Sequence, residues 1–272
     1  FGVEVLRVPD APEGGVDLGA MEEVVHRRRP RLVAVTHMPT NSGLVQDVYA
    51  VGAMCRDRDV LYLVDGCQSV GQMPVDVEAM GCDFFSATSR KYMRGPRGAG
   101  FLYVSDRVLD LGLQPLFPDM RGADWIHSDL YQLAPDARRF ETWEYAWALI
   151  LGTGAAARYA RTIGLDRIHA RARSLAAQLR HRLSALDGAQ VLDRGAELGA
   201  TVTAAFEGRE PASLVYELRR RGINTSSQTR VDAVIDYDEK GVDGSLRISP
   251  HYFNTDDDLD AVEGALREIL VA

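Results

Sequence analysis

Four short apolar runs punctuate the first hundred or so residues: "RLVAVTH" (31–37), "VLYLVDG" (60–66), "DFFSAT" (83–88) and "AGFLYVS" (99–105). Each has the length of a strand, is built largely from Val, Leu, Ala, Phe and Tyr, and meets Gly, Pro, Asp or Ser nearby. Between the first two, "LVQDVYAVGAMCRDRD" brings Val45, Val48, Val51, Ala53 and Met54 round at roughly helical spacing. Apolar strands alternating with helices predict crossover units and a mostly parallel sheet.

Residues 106–139 show no clear period and many Pro, Asp and Gly, which predicts an irregular segment over the surface, of a length that often carries function. Two long helices are expected from Phe140 to about Leu186, broken near Gly164, the second rich in Ala, Leu and exposed Arg. Within the first, "AWALILGTGAAA" (146–157) is too short to cross a bilayer and reads as a buried helix. The texture then changes. "ATVTAAFEG" (200–208), the helical "ASLVYELRRRG" (212–222), the extended "INTSSQ", "SLRISPH" (245–251) and a closing helix "DDLDAVEGALREIL" describe a small α+β unit. Thr255 is placed to cap that last helix, and Asp256, Asp257 and Asp258 complement its positive end. The expected organisation is an α/β large domain over residues 1–158 and a smaller C-terminal α+β domain over 159–272, without repeats or low-complexity linkers.

Composition narrows the function classes. The 272 residues are 46% hydrophobic, enough for a substantial core, and a net charge of −8 with a pI near 5.3 argues against nucleic acid or an anionic membrane as partner. The chain opens at Phe1 with "FGVEVLRVPD", which lacks a basic stretch followed by an apolar one, so no signal peptide is expected and the cytoplasm is the expected location. Cys55, Cys67 and Cys82 are odd in number, show no close pairing and have apolar neighbours, which suits reduced structural thiols and no metal site.

The cationic residues carry a further signal: there are 29 arginines and only two lysines, Lys91 and Lys240. Lys91 stands inside "SATSRKYMRGPRGAG" (86–100), where a solvating charge would be served by another Arg, so the amine itself is what the position needs. A lysine differs from an arginine in a pKa that burial can lower and a nitrogen that can condense with an aldehyde. Asp65 closes the apolar strand "VLYLVD", so its carboxylate emerges at the carboxyl edge of the sheet, where open α/β folds bind ligands. One right-handed crossover later the next strand delivers Lys91 to the same edge. The amine then calls for a carbonyl partner, of which pyridoxal phosphate is the commonest.

At these residues a family resemblance becomes visible. "LYLVDGCQSVGQMPVDVEAMGCDFFSATSRKYMRGPRGAGFLYV", together with "LRISPHYFNTDDDLD", resembles the class V aminotransferase group of fold-type-I pyridoxal-phosphate enzymes, which includes cysteine desulfurases, isopenicillin N epimerase-like proteins and C–S lyases. The resemblance runs through nearly the whole chain. It implies a fold-type-I large domain, pyridoxal 5′-phosphate as cofactor, an amino-acid substrate and a homodimer. Residue by residue, it implies that Lys91 binds the cofactor covalently, that Asp65 pairs with the pyridine nitrogen, and that Gln68 donates to the ring's phenolic oxygen. Thr88 and Arg90 would hold the phosphate, and Arg247 would grip the substrate's α-carboxylate in two parallel hydrogen bonds. Many relatives have His where Arg90 stands.

Thr40 and Asn41 lie where the family often has an Asn near the ring; either takes that place, or the pair forms an Asn-Ser-Gly turn. Arg97 is either catalytic or a pin for its turn, His37 either an active-site group or packing at a strand end. His251 and Tyr252 either line the substrate pocket or pack under the last helix. Lys240, in the acidic turn "DYDEKGVDG", receives no role. Two departures stand out. The family's upstream segment, with a phosphate-cradling loop and a ring-stacking residue, is absent from this numbering, and Trp143 and Glu144 stand where many relatives have the Gly-Thr that reaches a neighbouring subunit's phosphate.

A cysteine desulfurase needs a persulfide-forming Cys in the later part of the chain, and none follows Cys82, which argues against that activity. The Arg90 form of the lysine motif, "FETWEY" and "SPHYFNT" look most like the C–S lyase and epimerase-like subgroup of the ergothioneine and lincosamide pathways. The expected reaction is β-elimination from an S-substituted cysteine in natural-product biosynthesis. Decarboxylation-coupled deamination of such a conjugate, and transamination or epimerisation, are the alternatives.

Overall fold

The computed structural model of the protein describes residues 2–271, so Phe1 and Ala272, the outer limits of the two expected domains, lie outside the described residues. The four apolar runs become β1 (Leu32–Thr36), β2 (Leu61–Asp65), β3 (Phe84–Thr88) and β4 (Gly100–Val104), lying side by side in chain order. β1, β2 and β3 are parallel, with Thr36 opposite Asp65 and Asp65 opposite Ser86, so β1 and β2 finish level at one edge and β3 runs two residues further, to Thr88. β4 runs antiparallel to β3, returned by a turn whose Ser89 hydroxyl donates to the carbonyl of Pro96 at 2.6 Å.

Helices α1 (Leu18–Arg28), α2 (Val48–Asp57) and α3 (Val77–Met80) accompany this sheet. Val48, Val51 and Met80 meet Val33, Tyr62, Val64 and Phe85 in a common core. The period-2 geometry of β2 buries Tyr62 and Val64 there and turns Leu61, Leu63 and Asp65 to the other face.

A second, wholly antiparallel sheet has the order β7 (Ala189–Val191), β8 (Val202–Phe206), β10 (Gly244–Ile248), β9 (Ser226–Thr229). Helices α6 (Leu165–Ser184), α7 (Pro211–Arg220) and α9 (Asp256–Val271) contribute Leu175, Leu179, Leu214, Leu218 and Leu266 to its core, against Val202 and Leu246. α9 starts as expected: Thr255 Oγ1 accepts from the Asp258 N–H at 3.3 Å while Asp258 Oδ2 accepts from the Thr255 N–H at 2.9 Å, a reciprocal cap.

Four local expectations are corrected. Residues 106–139 are not wholly irregular: they hold α4 (Asp106–Asp110) and a hairpin of β5 (Ala123–His127) and β6 (Leu130–Leu133), most of whose residues are exposed. A strand pair without a buried face leaves no apolar alternation to read. The "AWALILGTGAAA" helix, α5 (Trp147–Ile163), starts well after Phe140 and is not buried; Leu151 is 72% exposed. It contacts α6 and packs against Pro96 beside Gly152, outside both sheet cores. "DYDEK" is no solvated turn but the end of α8 (Val234–Lys240), which buries Tyr237 fully. The Lys240 side chain is only 5% exposed and pairs with Asp236 one turn earlier at 2.7 Å. Among the described residues, no helix is long and apolar enough to cross a membrane.

Candidate active site

The site lies where β1, β2 and β3 end. Asp65, the last residue of β2, turns its Oδ1 to the N–H of Cys67 at 2.8 Å, an Asx-type contact that starts the turn leading to Gln68. Gln68 is buried, and its Nε2 sits 2.8 Å from Thr40 Oγ1 while its Oε1 has no partner. A hydroxyl can donate as well as accept, so the amide rotated by a half-turn accepts from Thr40 and aims its NH₂ at the open position. Its backbone carbonyl accepts from Gln72 Nε2 at 2.6 Å, and Gln72 Oε1 accepts from the Ala200 N–H, which braces the turn against the segment entering β8.

Lys91 follows the end of β3 by three residues. Burial, then the positive charges of Arg247 and Arg90, hold its amine below the usual lysine range; Cys67 opposes this and Arg97 adds to it. Cys67 registers both key groups: burial and the Asp65 carboxylate push its thiol up to about 11, with Lys91 pulling the other way. Asp65 and Lys91 therefore flank one small region rather than opposite sides of the molecule. Thr88, the last residue of β3, directs its hydroxyl to the carbonyl of Ala99 at 3.3 Å. Arg90 is exposed beside it.

Arg247 comes from the second sheet. It sits on β10, opposite Thr203 and Ser226, and its charge is felt by Tyr92, the residue after Lys91. Burial holds the guanidinium below its usual range; its Nε has no partner, and the groups that oppose the shift are two tyrosines, Tyr92 and Tyr237, not carboxylates. A half-buried cation with no carboxylate partner among the described residues is costly, so the position suits an incoming carboxylate.

The remaining candidates divide. Of the adjacent pair, Thr40 meets Gln68, whereas Asn41 points elsewhere and donates to Asp236 Oδ2 on α8 at 2.8 Å. His37 is buried with its Nδ1 unpartnered, and burial lowers its pKa to about 4. His251 does not pack simply under α9: its Nε2 donates to the Tyr92 carbonyl at 2.9 Å and its Nδ1 accepts from the Tyr252 N–H, which fixes a neutral tautomer. Arg97 is exposed with its charge within reach of Lys91, and Trp143 and Glu144 are exposed ahead of α5. Sequence reasoning missed Cys67 as a neighbour of both Asp65 and Lys91, and gave no role to Tyr92, Gln72 or Arg94; "DGCQ" already placed the thiol between the two site residues it adjoins.

The sequence matches the family described as aminotransferase class-V over residues 1–262. The chain belongs to that family. Among class V relatives, a probable cysteine desulfurase of Methanothermobacter thermautotrophicus is 32% identical over 272 residues, covering 98% of this chain and 67% of that protein. Another, from Xylella fastidiosa, is 28% identical over 264 residues, covering 95% of this chain and 61% of that one. In structure the chain superposes on the apo cysteine desulfurase of Thermococcus onnurineus NA1 with a TM-score of 0.90 at 25% identity, covering 100% of this chain and 67% of that one. The fold is that of fold-type-I enzymes, and the class V family's cofactor is pyridoxal 5′-phosphate. The residues present fit it: an amine held below its usual range, a carboxylate one strand away, and a buried amide with an unpartnered oxygen converge at one sheet edge.

Proposed function

We propose that this chain is part of a pyridoxal-phosphate-dependent C–S lyase of sulfur-containing natural-product biosynthesis, cleaving an S-substituted L-cysteine by β-elimination. The products are a thiol, pyruvate and ammonia, water supplying the oxygen. The observation that carries the assignment is the proximity of Lys91 to Arg247: an amine held below its usual range lies in the field of a half-buried guanidinium that no carboxylate among the described residues offsets. An amine that can exchange with another amine, beside a grip for a carboxylate, describes a site for an α-amino acid.

Pyridoxal phosphate, when bound, supplies an aldehyde and an electron-poor ring that accepts the pair left by a breaking bond. Asp65 keeps the ring nitrogen protonated, the NH₂ of Gln68 donates to the phenolic oxygen, and Thr88 and Arg90 take the phosphate. Arg247 holds the substrate's carboxylate in place, which keeps that group from leaving. Lys91, displaced as a free amine, removes the α-proton and then holds it at Nζ. The sulfur departs to solution: Cys55 and Cys82 are buried with pKa values pushed up to about 12 and about 11, and the Cys67 thiol beside Asp65 and Lys91 is likewise pushed up to about 11, so none of the three is a ready thiolate to receive it.

The test is incubation of the pyridoxal-phosphate-loaded protein with S-ethyl-L-cysteine. Pyruvate and ethanethiol in equal amounts are expected. Carbon dioxide with an aldehyde, or accumulation of pyridoxamine phosphate without thiol, would sink the elimination and favour decarboxylation or transamination. We also propose a homodimer, supported by the exposed apolar side chains Trp143, Trp147 and Leu151 in and just before α5.

A further inference from the structure

We propose that Arg94 is a positioning residue: it fastens the turn that carries Lys91 to the turn that follows Arg247, and so holds the reactive amine and the carboxylate grip at one separation. This rests on the assignment of Lys91 and Arg247 above.

The backbone gives the first reason. Arg94 has φ 61°, in the left-handed region that glycine occupies freely and a side-chain-bearing residue occupies at a cost. The other non-glycine residues there among the described ones, Arg29 and Asp59, follow the ends of α1 and α2, where such a conformation is routine. Arg94 closes a turn instead, its N–H donating to the Lys91 carbonyl at 2.9 Å. A glycine would satisfy that backbone, so the side chain must return something.

It joins three elements. The guanidinium lies 5.6 Å from the ring centre of Tyr159 on α5, 5.7 Å from that of Tyr252 and 5.0 Å from that of Phe253, and its Nη1 donates to the Tyr252 hydroxyl at 2.5 Å. Each such stacking contact contributes modestly at an exposed site, and three on one cation define its place. A second tie runs parallel: the His251 ring donates to the Tyr92 carbonyl and stacks on Phe253 at 4.8 Å between centroids. Both ties join the turn that carries Lys91, through Tyr92 and Arg94, to the segment that leaves β10 just past Arg247. Backbone pairing between the two halves lies elsewhere, where Leu44 bridges Leu198; at the turn of Lys91 these side chains, together with the Tyr92–Thr201 hydroxyl contact, set the distance between amine and guanidinium.

The variant of choice is Arg94→Gly, which removes the guanidinium while relieving the left-handed backbone; Arg94→Lys serves as the partial rescue. In the cofactor-free protein, amide hydrogen exchange is expected to rise together in residues 88–97 and 249–254 of Arg94→Gly, with β2 and β10 unchanged. In the loaded protein, apparent affinities for S-ethyl-L-cysteine and for S-ethylcysteamine, the same amine without the carboxylate, are read from the visible absorption. The preference for the carboxylate-bearing ligand is expected to fall about tenfold in Arg94→Gly and to return in part in Arg94→Lys, the loss of one well-placed charge-assisted contact. Unchanged preference with unchanged exchange overturns the proposal, as does a loss of thermal stability with neither readout moved. If the parent protein fails to act on S-ethyl-L-cysteine, the lyase assignment fails, and the exchange comparison still decides whether Arg94 fastens the two turns.

Discussion

A guanidinium that burial holds below its usual range, with no carboxylate to offset it, is the most informative single residue here, because stability alone would have replaced or paired it. Arg247→Gln is therefore expected to leave the fold intact and to raise KM for S-ethyl-L-cysteine by about 30-fold or more, the cost of about 2 kcal/mol for an unpaired carboxylate. A kinetic series at saturating cofactor checks this, and unchanged KM would remove Arg247 from the site. His37 makes a different claim. Burial lowers its pKa from 6.5 to about 4, so the unfolded chain takes up a proton that the folded chain refuses. The His37 contribution is then fully present above pH 6.5 and is lost as pH falls from 6.5 towards 4, on the order of 3 kcal/mol. Urea unfolding at several pH values should show the stability gap between wild type and His37→Gln narrowing by about that amount across this window. A gap independent of pH would show that His37 titrates as an exposed histidine.

Between residue and whole lies the loop after β1, which carries Thr40 and which the second sheet's elements clamp from several sides. The Gly43 N–H donates to Asp193 Oδ1 at 3.0 Å, the Gly43 carbonyl accepts from the Gly199 N–H at 2.7 Å, and Gln228 Nε2 donates to the Thr40 carbonyl at 3.3 Å. Asp193 in turn is paired with Arg180 at 2.8 Å with its side chain fully buried. A Cβ on Gly43 would stand 2.1 Å from Arg180 Nη2 and 2.3 Å from the Thr201 carbonyl oxygen. Gly43→Ala is expected to lower stability by roughly 3 kcal/mol and to weaken cofactor binding with it, since Thr40 and hence Gln68 must shift. Urea unfolding and cofactor titration measure both, and a neutral result would mean that the loop is free to yield. The same loop shows where the sequence stops being legible. The four strands of the first sheet, Asp65 and Lys91 could be placed because apolar runs and a strand-end charge are local signals. Whether Thr40 or Asn41 faces the site depends on Asp236, far along the chain, which claims Asn41. Helix α8 itself was hidden by its acidic composition, since its fold comes from Tyr237 and the Asp236–Lys240 pair rather than from an apolar stripe.

At the scale of the molecule, two cores built on separate sheets meet around one sheet edge, and the site draws Asp65, Gln68 and Lys91 from the first and Arg247 from the second. α5 belongs to neither core and exposes Trp147 and Leu151 at 56% and 72%. If that face is the homodimer contact, Leu151→Glu should convert a dimer to a monomer in sedimentation velocity while leaving far-ultraviolet circular dichroism unchanged; a parent chain already monomeric at micromolar concentration counts against the assignment. The arginine-rich, lysine-poor composition makes the central claim unusually direct to examine. Lys91 and Lys240 are the only side-chain amines, and Lys240 is held against Asp236 with 5% of its side chain exposed. Borohydride reduction of the protein incubated with pyridoxal phosphate, followed by peptide mapping, should place one pyridoxyl group on Lys91 and none on the Lys91→Ala variant. A pyridoxyl group on Lys240, or no adduct with cofactor in excess, would contradict the account.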